Sequence, residues 1–285
     1  MKRVICVANQ KGGVGKTTTT VNLGACLAVA DQNVLLLDID PQGNATTGLG
    51  LPKNQGDANI YTALMEGEIT PSMIYDTAVD RLKAIPSTTD LYGAEIELVT
   101  VENRERRLLE LIQQVEDDFD FVLIDCPPSL GMLTINALSA SDSVVIPLQT
   151  EYYAMEGLSQ LDKTIGRIRD AFNPELKIEG ILFTMVDGRT VLSQQVIKEV
   201  RDHYGDLVFT TVIPRNIRLS EAPSHGKPII LYDFKSKGAD AYIDFAHELI
   251  QNHKRAERNS VSNDQNDVNG QSPQNGVYSK IGSER

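Results

Sequence analysis

Between Asn9 and Thr20 the chain reads NQKGGVGKTTTT, directly after the apolar run RVICVAN (3–9) and directly before a stretch of helical length. Glycines at 12, 13 and 15 permit backbone torsions closed to other residues. The N–H groups of Gly12, Gly13, Val14 and Gly15 can therefore turn toward one anion, and the helix that follows adds the positive end of its dipole. In such a loop Lys16 reaches the β- and γ-phosphates, the Thr17 hydroxyl is a Mg²⁺ ligand and Thr18 bonds the α-phosphate. The chemistry implied is the binding of ATP with Mg²⁺. The pattern GxxxxGK[ST] is met at Gly15, Lys16 and Thr17 but not at its first glycine, where Gln10 stands. A glycine-rich turn that merely caps a helix is the plainer alternative. Against it, strand, loop, Lys-Thr pair and helix follow one another in the order phosphate binding requires.

Two further runs end in carboxylates. LLLDIDPQGN (35–44) carries Asp38 and Asp40, which strand periodicity puts on one side, with Asp40 nearer the carboxyl edge. Asp38 reads as an outer-shell ligand or a helix-capping carboxylate, with a catalytic role as the alternative. FVLIDCPPS (121–129) closes on Asp125, where a buried strand would deliver one carboxylate to the Mg²⁺ shell through water. Pro127 and Pro128 then forbid continuation of the ladder and stiffen the turn. A strand-end capping role is the alternative for Asp125.

The elements that must hold these groups are short, almost continuous apolar runs at 3–9, 33–39, 81–87, 119–126, 142–148, 177–186 and 206–213. Strands without alternation are buried on both faces, which implies a parallel sheet covered by helices. Amphipathic stretches at 18–30, 102–118 and 156–172 supply helices between them. The expected fold is α/β: a doubly wound, mostly parallel sheet with helices on both faces, binding ligands beyond the carboxyl ends of its strands. Residues 1–256 would form this domain. The segment 257–285, rich in Asn, Ser, Gln and Gly, reads as a disordered polar tail that cannot bury enough to offset its ordering entropy.

Composition narrows the function further. Cys6, Cys26 and Cys126 include no CxxC pair, which argues against a disulfide framework or cysteine-built metal site and fits a reducing cytoplasm. No apolar run approaches the ~18–20 residues of a membrane span, and VICVA is too short for a signal-peptide core. A net charge of −12 argues against coating nucleic acid with the whole surface. Locally the balance reverses: Arg215, Arg218, Lys227, Lys235 and Lys237 face only Glu221 and Asp233 over 215–237. The phosphate loop begins at residue 9, so no helix-turn-helix domain is expected ahead of it.

KGGVGKTT carries an additional lysine, Lys11, and so resembles the deviant phosphate loop of the ParA/MinD/nitrogenase-iron-protein ATPases. The strings ANQKGGVGKTTT, LLLDIDPQGNATTGLG, VLIDCPPSLG, IPLQTEYYAMEGLSQL, GRTVLSQQV and VIPRNIRLSEAPSHGKPI resemble the short Soj/ParA partition ATPases over essentially the whole folded part. The resemblance implies an ATP hydrolase that forms a homodimer when ATP-bound. It also implies non-specific, nucleoid-associated DNA binding, with release when a ParB-type centromere-binding partner stimulates hydrolysis, so that chromosomes or plasmids are segregated. By the same resemblance Lys11 crosses to the partner subunit's nucleotide, and Asp40 orients the attacking water and meets the metal through water. Residues 40–47 and 126–131 would be the switches, Pro214 and Asn216 would contact adenine, and Arg189 and Arg218 would contact DNA. Lys11 could also be a solvated cation that only steers nucleotide, and the two arginines could be solvated or paired within the chain. Asn216 could simply form a turn. A MinD-like membrane-cycling positioner is the rival reading, but NHKRAERNSVSNDQNDVNG offers no apolar helical face. A cluster carrier would need paired cysteines near the interface.

Overall fold

The computed structural model describes residues 2–53 and 56–269. Eight strands form one sheet: β1 (Arg3–Val7), β2 (Val34–Asp38), β3 (Tyr75–Asp76), β4 (Leu82–Ile85), β5 (Phe121–Asp125), β6 (Ser143–Gln149), β7 (Lys177–Val186) and β8 (Val208–Pro214). Their order is β3-β4-β2-β5-β1-β6-β7-β8, and every neighbouring pair is parallel except β3 with β4. The sequence VLLLD of β2 and FVLID of β5 is buried at every position. That is why these strands carry no polar alternation: helices cover both faces. Leu35, Leu37, Val122, Ile124, Val144, Ile146 and Phe183 belong to one continuous core.

Strand order reverses at β1, which lies between β5 and β6 although β2 follows it in the chain. Ligand crevices form at such a point, where loops from adjacent strand ends diverge to opposite faces. Register brings the relevant ends level: Val7 pairs with Asp125, and Asp125 with Asp38. The helix α1 (Lys16–Val29) starts here and is buried along most of its length.

The structure departs from the sequence reading in three places. The antiparallel edge strand β3 has only two residues, too few to show a periodicity. Of 102–118, only Arg107–Ile112 is α-helical, flanked by single 3₁₀ turns at Arg104–Arg106 and Glu116–Asp118. Tertiary contacts override the amphipathic pattern there. Asn136 donates to Arg104 O (2.7 Å) and accepts the Leu108 N–H (3.0 Å), while Asn103 adopts a left-handed φ of 54° that fixes where the helix can begin. The last helix, Lys237–Asn269, runs on through 257–269, where the sequence reading placed a disordered tail. Once a helix is nucleated, each added residue costs little, so polar composition alone does not set its end. The rest of that tail, 270–285, lies outside the described residues. Contacts divide the chain into Met1–Ala246, which contains the whole sheet, and His247–Arg285, whose described part is the distal portion of this last helix.

Candidate nucleotide-binding site and basic surface

The loop between β1 and α1 has the torsions its glycines allow: Gly13 and Gly15 sit at φ +74° and +88°, in the region closed to most side chains. Its shape is fixed from outside. Asn9 donates to Pro147 O (2.7 Å) and accepts from the Lys11 N–H (2.9 Å). Gln149 donates to Gly13 O (2.8 Å) and Thr184 to Val14 O (2.7 Å). Side chains on β6 and β7 thus hold the Gly13 and Val14 carbonyls.

Gly12, Gly13, Lys16, Thr17, Asp40 and Pro128 line one open cleft of about 440 Å³. Lys16 is buried at its floor, with Nζ 3.2 Å from Lys11 O. Burial pulls its ammonium below the ordinary lysine value, while Asp125 and Asp40 pull it back up. A desolvated cation among fixed dipoles is prepared to meet phosphate, having already lost the water it would otherwise shed. Asp125 is fully buried and accepts from Thr17 Oγ1 (2.8 Å) and Thr20 Oγ1 (2.9 Å). Burial first, then the Asp38 carboxylate beside it, pushes its pKa up to about 8.

These are hard oxygen donors suited to Mg²⁺, and a cation would relieve the buried negative charge that now disfavours ionised Asp125. Among the described residues there is no cluster of three or more His, Cys, Asp or Glu able to hold a metal alone. That donor set fits an ion that keeps waters and shares phosphate oxygens with its substrate.

Asp38 is equally buried but turned away from the cleft. Its Oδ2 accepts the N–H and the hydroxyl of Thr46 (both 2.7 Å), and its Oδ1 the Asp40 N–H (3.2 Å). Thr46 lies in the first turn of the helix Asn44–Gly48, so Asp38 takes the capping alternative. Asp40 itself is held by the Gln42 N–H on Oδ1 (2.9 Å) and by Ser87 on its carbonyl (2.5 Å).

A second cavity, of about 260 Å³, adjoins the loop at Gly15 and Thr18 and is walled by Met185, Pro214, Asn216 and Leu219. Asn216 caps the helix Ile217–Glu221, accepting from the Arg218 N–H (2.8 Å). Its oxygen serves the turn, leaving the Nδ2 amide as the group able to meet a base. Met185 lines both cavities at a φ of +51°. The sequence reading missed Met185, Gln149, Thr184 and Ser87. Only their places at or just after strand ends could have indicated them.

Lys11, expected to serve the cleft of a second copy, does not line this chain's own cleft and is ion-paired with Glu151 on the exterior. Both arginines of the expected basic surface are paired within the chain as well. Arg189 makes a two-pronged contact to Asp187 (2.8 and 2.7 Å), holding that carboxylate down to about 2. Arg218 meets Glu221 (2.8 Å) and Asp233 (3.3 Å). Among the described residues no helix is long and apolar enough to cross a membrane.

An AAA domain family profile matches residues 2–178. The sporulation initiation inhibitor protein Soj of Bacillus subtilis is 57% identical over 252 residues, which is 88% of this chain and 100% of that protein. The chromosome partitioning protein ParA of Myxococcus xanthus is 52% identical over 249 residues, 87% of this chain and 88% of that protein. Among solved structures, cobyrinic acid a,c-diamide synthase from Mycobacterium smegmatis, with bound ADP and magnesium, is similar at a TM-score of 0.77. The two are 39% identical, covering 89% of this chain and 96% of that one.

Proposed function

This chain belongs to the Soj/ParA family of chromosome-partitioning ATPases, and from that premise we propose that it hydrolyses ATP to drive a cycle of dimerisation and DNA binding. The observation that carries the reading is the convergence, in one cleft, of desolvated Lys16, the Thr17–Asp125 pair and Asp40. The loop N–H groups from Gly12 to Thr18 and the Lys16 ammonium hold the β- and γ-phosphates. Thr17 is the direct Mg²⁺ ligand, with Asp125 and Asp40 reaching the ion through water. The ion, when bound, neutralises charge that develops on the phosphate oxygens.

Asp40 orients a water for in-line attack on the γ-phosphorus. The new P–O bond forms as the bond to the β–γ bridging oxygen breaks, ADP leaves and the water's proton passes to solvent. A carboxylate beside an anionic phosphate is suited to positioning that water more than to deprotonating it. Pro214 and the Asn216 amide would receive adenine in the adjoining cavity.

Lys11 would exchange Glu151 for the partner subunit's phosphate, so that a complete site needs two copies of the chain. The ATP-bound dimer would bind DNA without sequence preference through Arg189 and Arg218, because cations aimed at phosphates carry no base information. A ParB-type centromere-binding partner would trigger hydrolysis and release. The segment 257–285 is proposed to lie outside the ATPase domain, residues 1–256.

Light scattering with a non-hydrolysable ATP analogue, paired with DNA gel shifts, tests the cycle. The wild-type protein should be dimeric and DNA-bound, and Arg189→Glu with Arg218→Glu should dimerise yet lose DNA. A protein that stays single-copy when saturated with analogue would overturn the reading.

A further inference from the structure

The helix Ile217–Glu221 belongs to two sites at once. Leu219 and Ser220, with the flanking Asn216 and Pro223, wall the cavity beside the phosphate loop. On the same turn Arg218 is half exposed and does not line that cavity. Its guanidinium is engaged at both ends, by Nη1 to Glu221 Oε2 at 2.8 Å and by Nε to Asp233 Oδ2 at 3.3 Å. Glu221 is itself steadied by the Tyr232 hydroxyl at 3.1 Å. These two acids are the only ones between Arg215 and Lys237, in a stretch with five basic residues, and both are spent on one arginine.

A carboxylate pair that occupies a guanidinium competes with a DNA phosphate for the same donors. Arg189 is occupied in the same way by Asp187. We propose that Glu221 and Asp233 are positioning residues that hold Arg218 away from DNA in the nucleotide-free chain, and that nucleotide seated against Leu219 and Ser220 shifts this turn and frees the guanidinium. The proposal rests on the assignment of Arg218 to the DNA surface and adds what keeps that surface closed. The turn couples the two sites directly: Asn216, at its start, walls the cavity and also accepts the Arg218 N–H at 2.8 Å.

Fluorescence anisotropy with a labelled random-sequence duplex, read across a KCl series with and without a non-hydrolysable ATP analogue, tests this. Glu221→Gln keeps an acceptor oxygen for Tyr232, so the double variant Glu221→Gln, Asp233→Asn preserves the local hydrogen bonding. In the nucleotide-free protein it should bind DNA roughly three- to tenfold more tightly than wild type, the range set by releasing two exposed ion pairs. The slope of log affinity against log salt should steepen by about 1 per chain, the signature of one more phosphate contact. The added gain from the ATP analogue should shrink correspondingly.

Removing two acids also raises net charge, so the same pair of substitutions is made in an Arg218→Ala background. A clamp requires that the gain vanish there. An equal gain with and without Arg218 would mean bulk electrostatics and would overturn the clamp while leaving the DNA surface intact. If Arg218→Ala alone leaves ATP-dependent DNA binding unchanged, the assignment of Arg218 to DNA fails instead. A double variant whose salt slope and affinity match wild type also overturns the clamp.

Discussion

Replacing Asp38 separates a structural carboxylate from a metal ligand. Asp38→Ala leaves three donors without their acceptor: the Thr46 N–H, the Thr46 hydroxyl and the Asp40 N–H. The hydroxyl can rotate elsewhere, and it already accepts the Ser87 N–H. The two backbone groups cannot, and each orphaned buried donor costs about 1–3 kcal/mol. Part of that cost is offset, because Asp38 stands in register with Asp125 on the adjoining strand and burial has pushed its own pKa up to about 6. Removing it relieves a like-charge contact in a buried place. The net expectation is a loss of about 1–3 kcal/mol, or roughly 3–10 °C in melting temperature for a chain of this length. Asp38→Asn keeps one acceptor oxygen while removing the charge, so it should lie within about 1 kcal/mol of wild type. Urea titrations followed by circular dichroism at pH 7.5 without Mg²⁺ measure both. Alongside them, the Mg²⁺ dependence of ATP turnover should keep its half-saturation in Asp38→Ala even as the rate falls, because the Asp40–Thr46 segment loses its anchor. Unchanged stability with a tenfold shift in Mg²⁺ half-saturation would refute the capping argument.

Lys16→Ala should abolish ATP uptake in calorimetry, because no other cation lines the phosphate cleft among the described residues. Asp40→Ala should bind ATP normally but turn over at least tenfold more slowly and accumulate dimer, as read by light scattering and phosphate release. Without Mg²⁺, stability should fall as pH rises. Burial and their mutual repulsion raise Asp38 and Asp125 in the folded state, toward about 6 and about 8, above the ~3.9 of an unfolded aspartate. At these two sites the folded chain binds more protons than the unfolded one between about pH 4 and 8, and the stability those protons confer is lost through that window. Asp125→Asn should flatten the upper part of this slope in urea midpoints. Gly226→Ala should cost about 2–4 kcal/mol in the same assay. Its φ of +60° already penalises a side chain by about 1–2 kcal/mol, and the new Cβ would sit 2.7 Å from the Gly50 Cα.

Much of the sheet could be read along the chain, because burial on both faces forces short, continuous apolar runs of strand length. Seven runs became seven strands, and the eighth strand escaped because two residues at an edge carry no pattern. The helix expected over 102–118 failed for another reason. Its amphipathic spacing is real, but Asn136, distant in sequence, takes the Leu108 N–H and the Arg104 carbonyl and so decides where helix can exist. The last helix continues through the polar residues 257–269, since composition speaks to burial and not to whether an already formed helix continues.

The site divides along the same line. Residues whose roles follow from backbone geometry were legible: glycines that must take positive φ, a lysine and threonine at the start of a helix, carboxylates at strand ends. Residues that act through what they touch were not. Gln149 and Thr184 hold the loop only because β6 and β7 bring them to the carbonyls of Gly13 and Val14, over 130 positions away. Charge state was the least legible of all. Sequence leaves open whether Lys11, Arg189 and Arg218 are solvated, paired or aimed at phosphate, and in the folded chain each meets a carboxylate, so every one of them must give up a contact before it can serve a phosphate. A surface of this kind binds only as strongly as the difference between two ion pairs, one internal and one external. That difference is small for exposed groups. On the proposed clamp, a nucleotide-dependent change of a single turn would decide which pair wins.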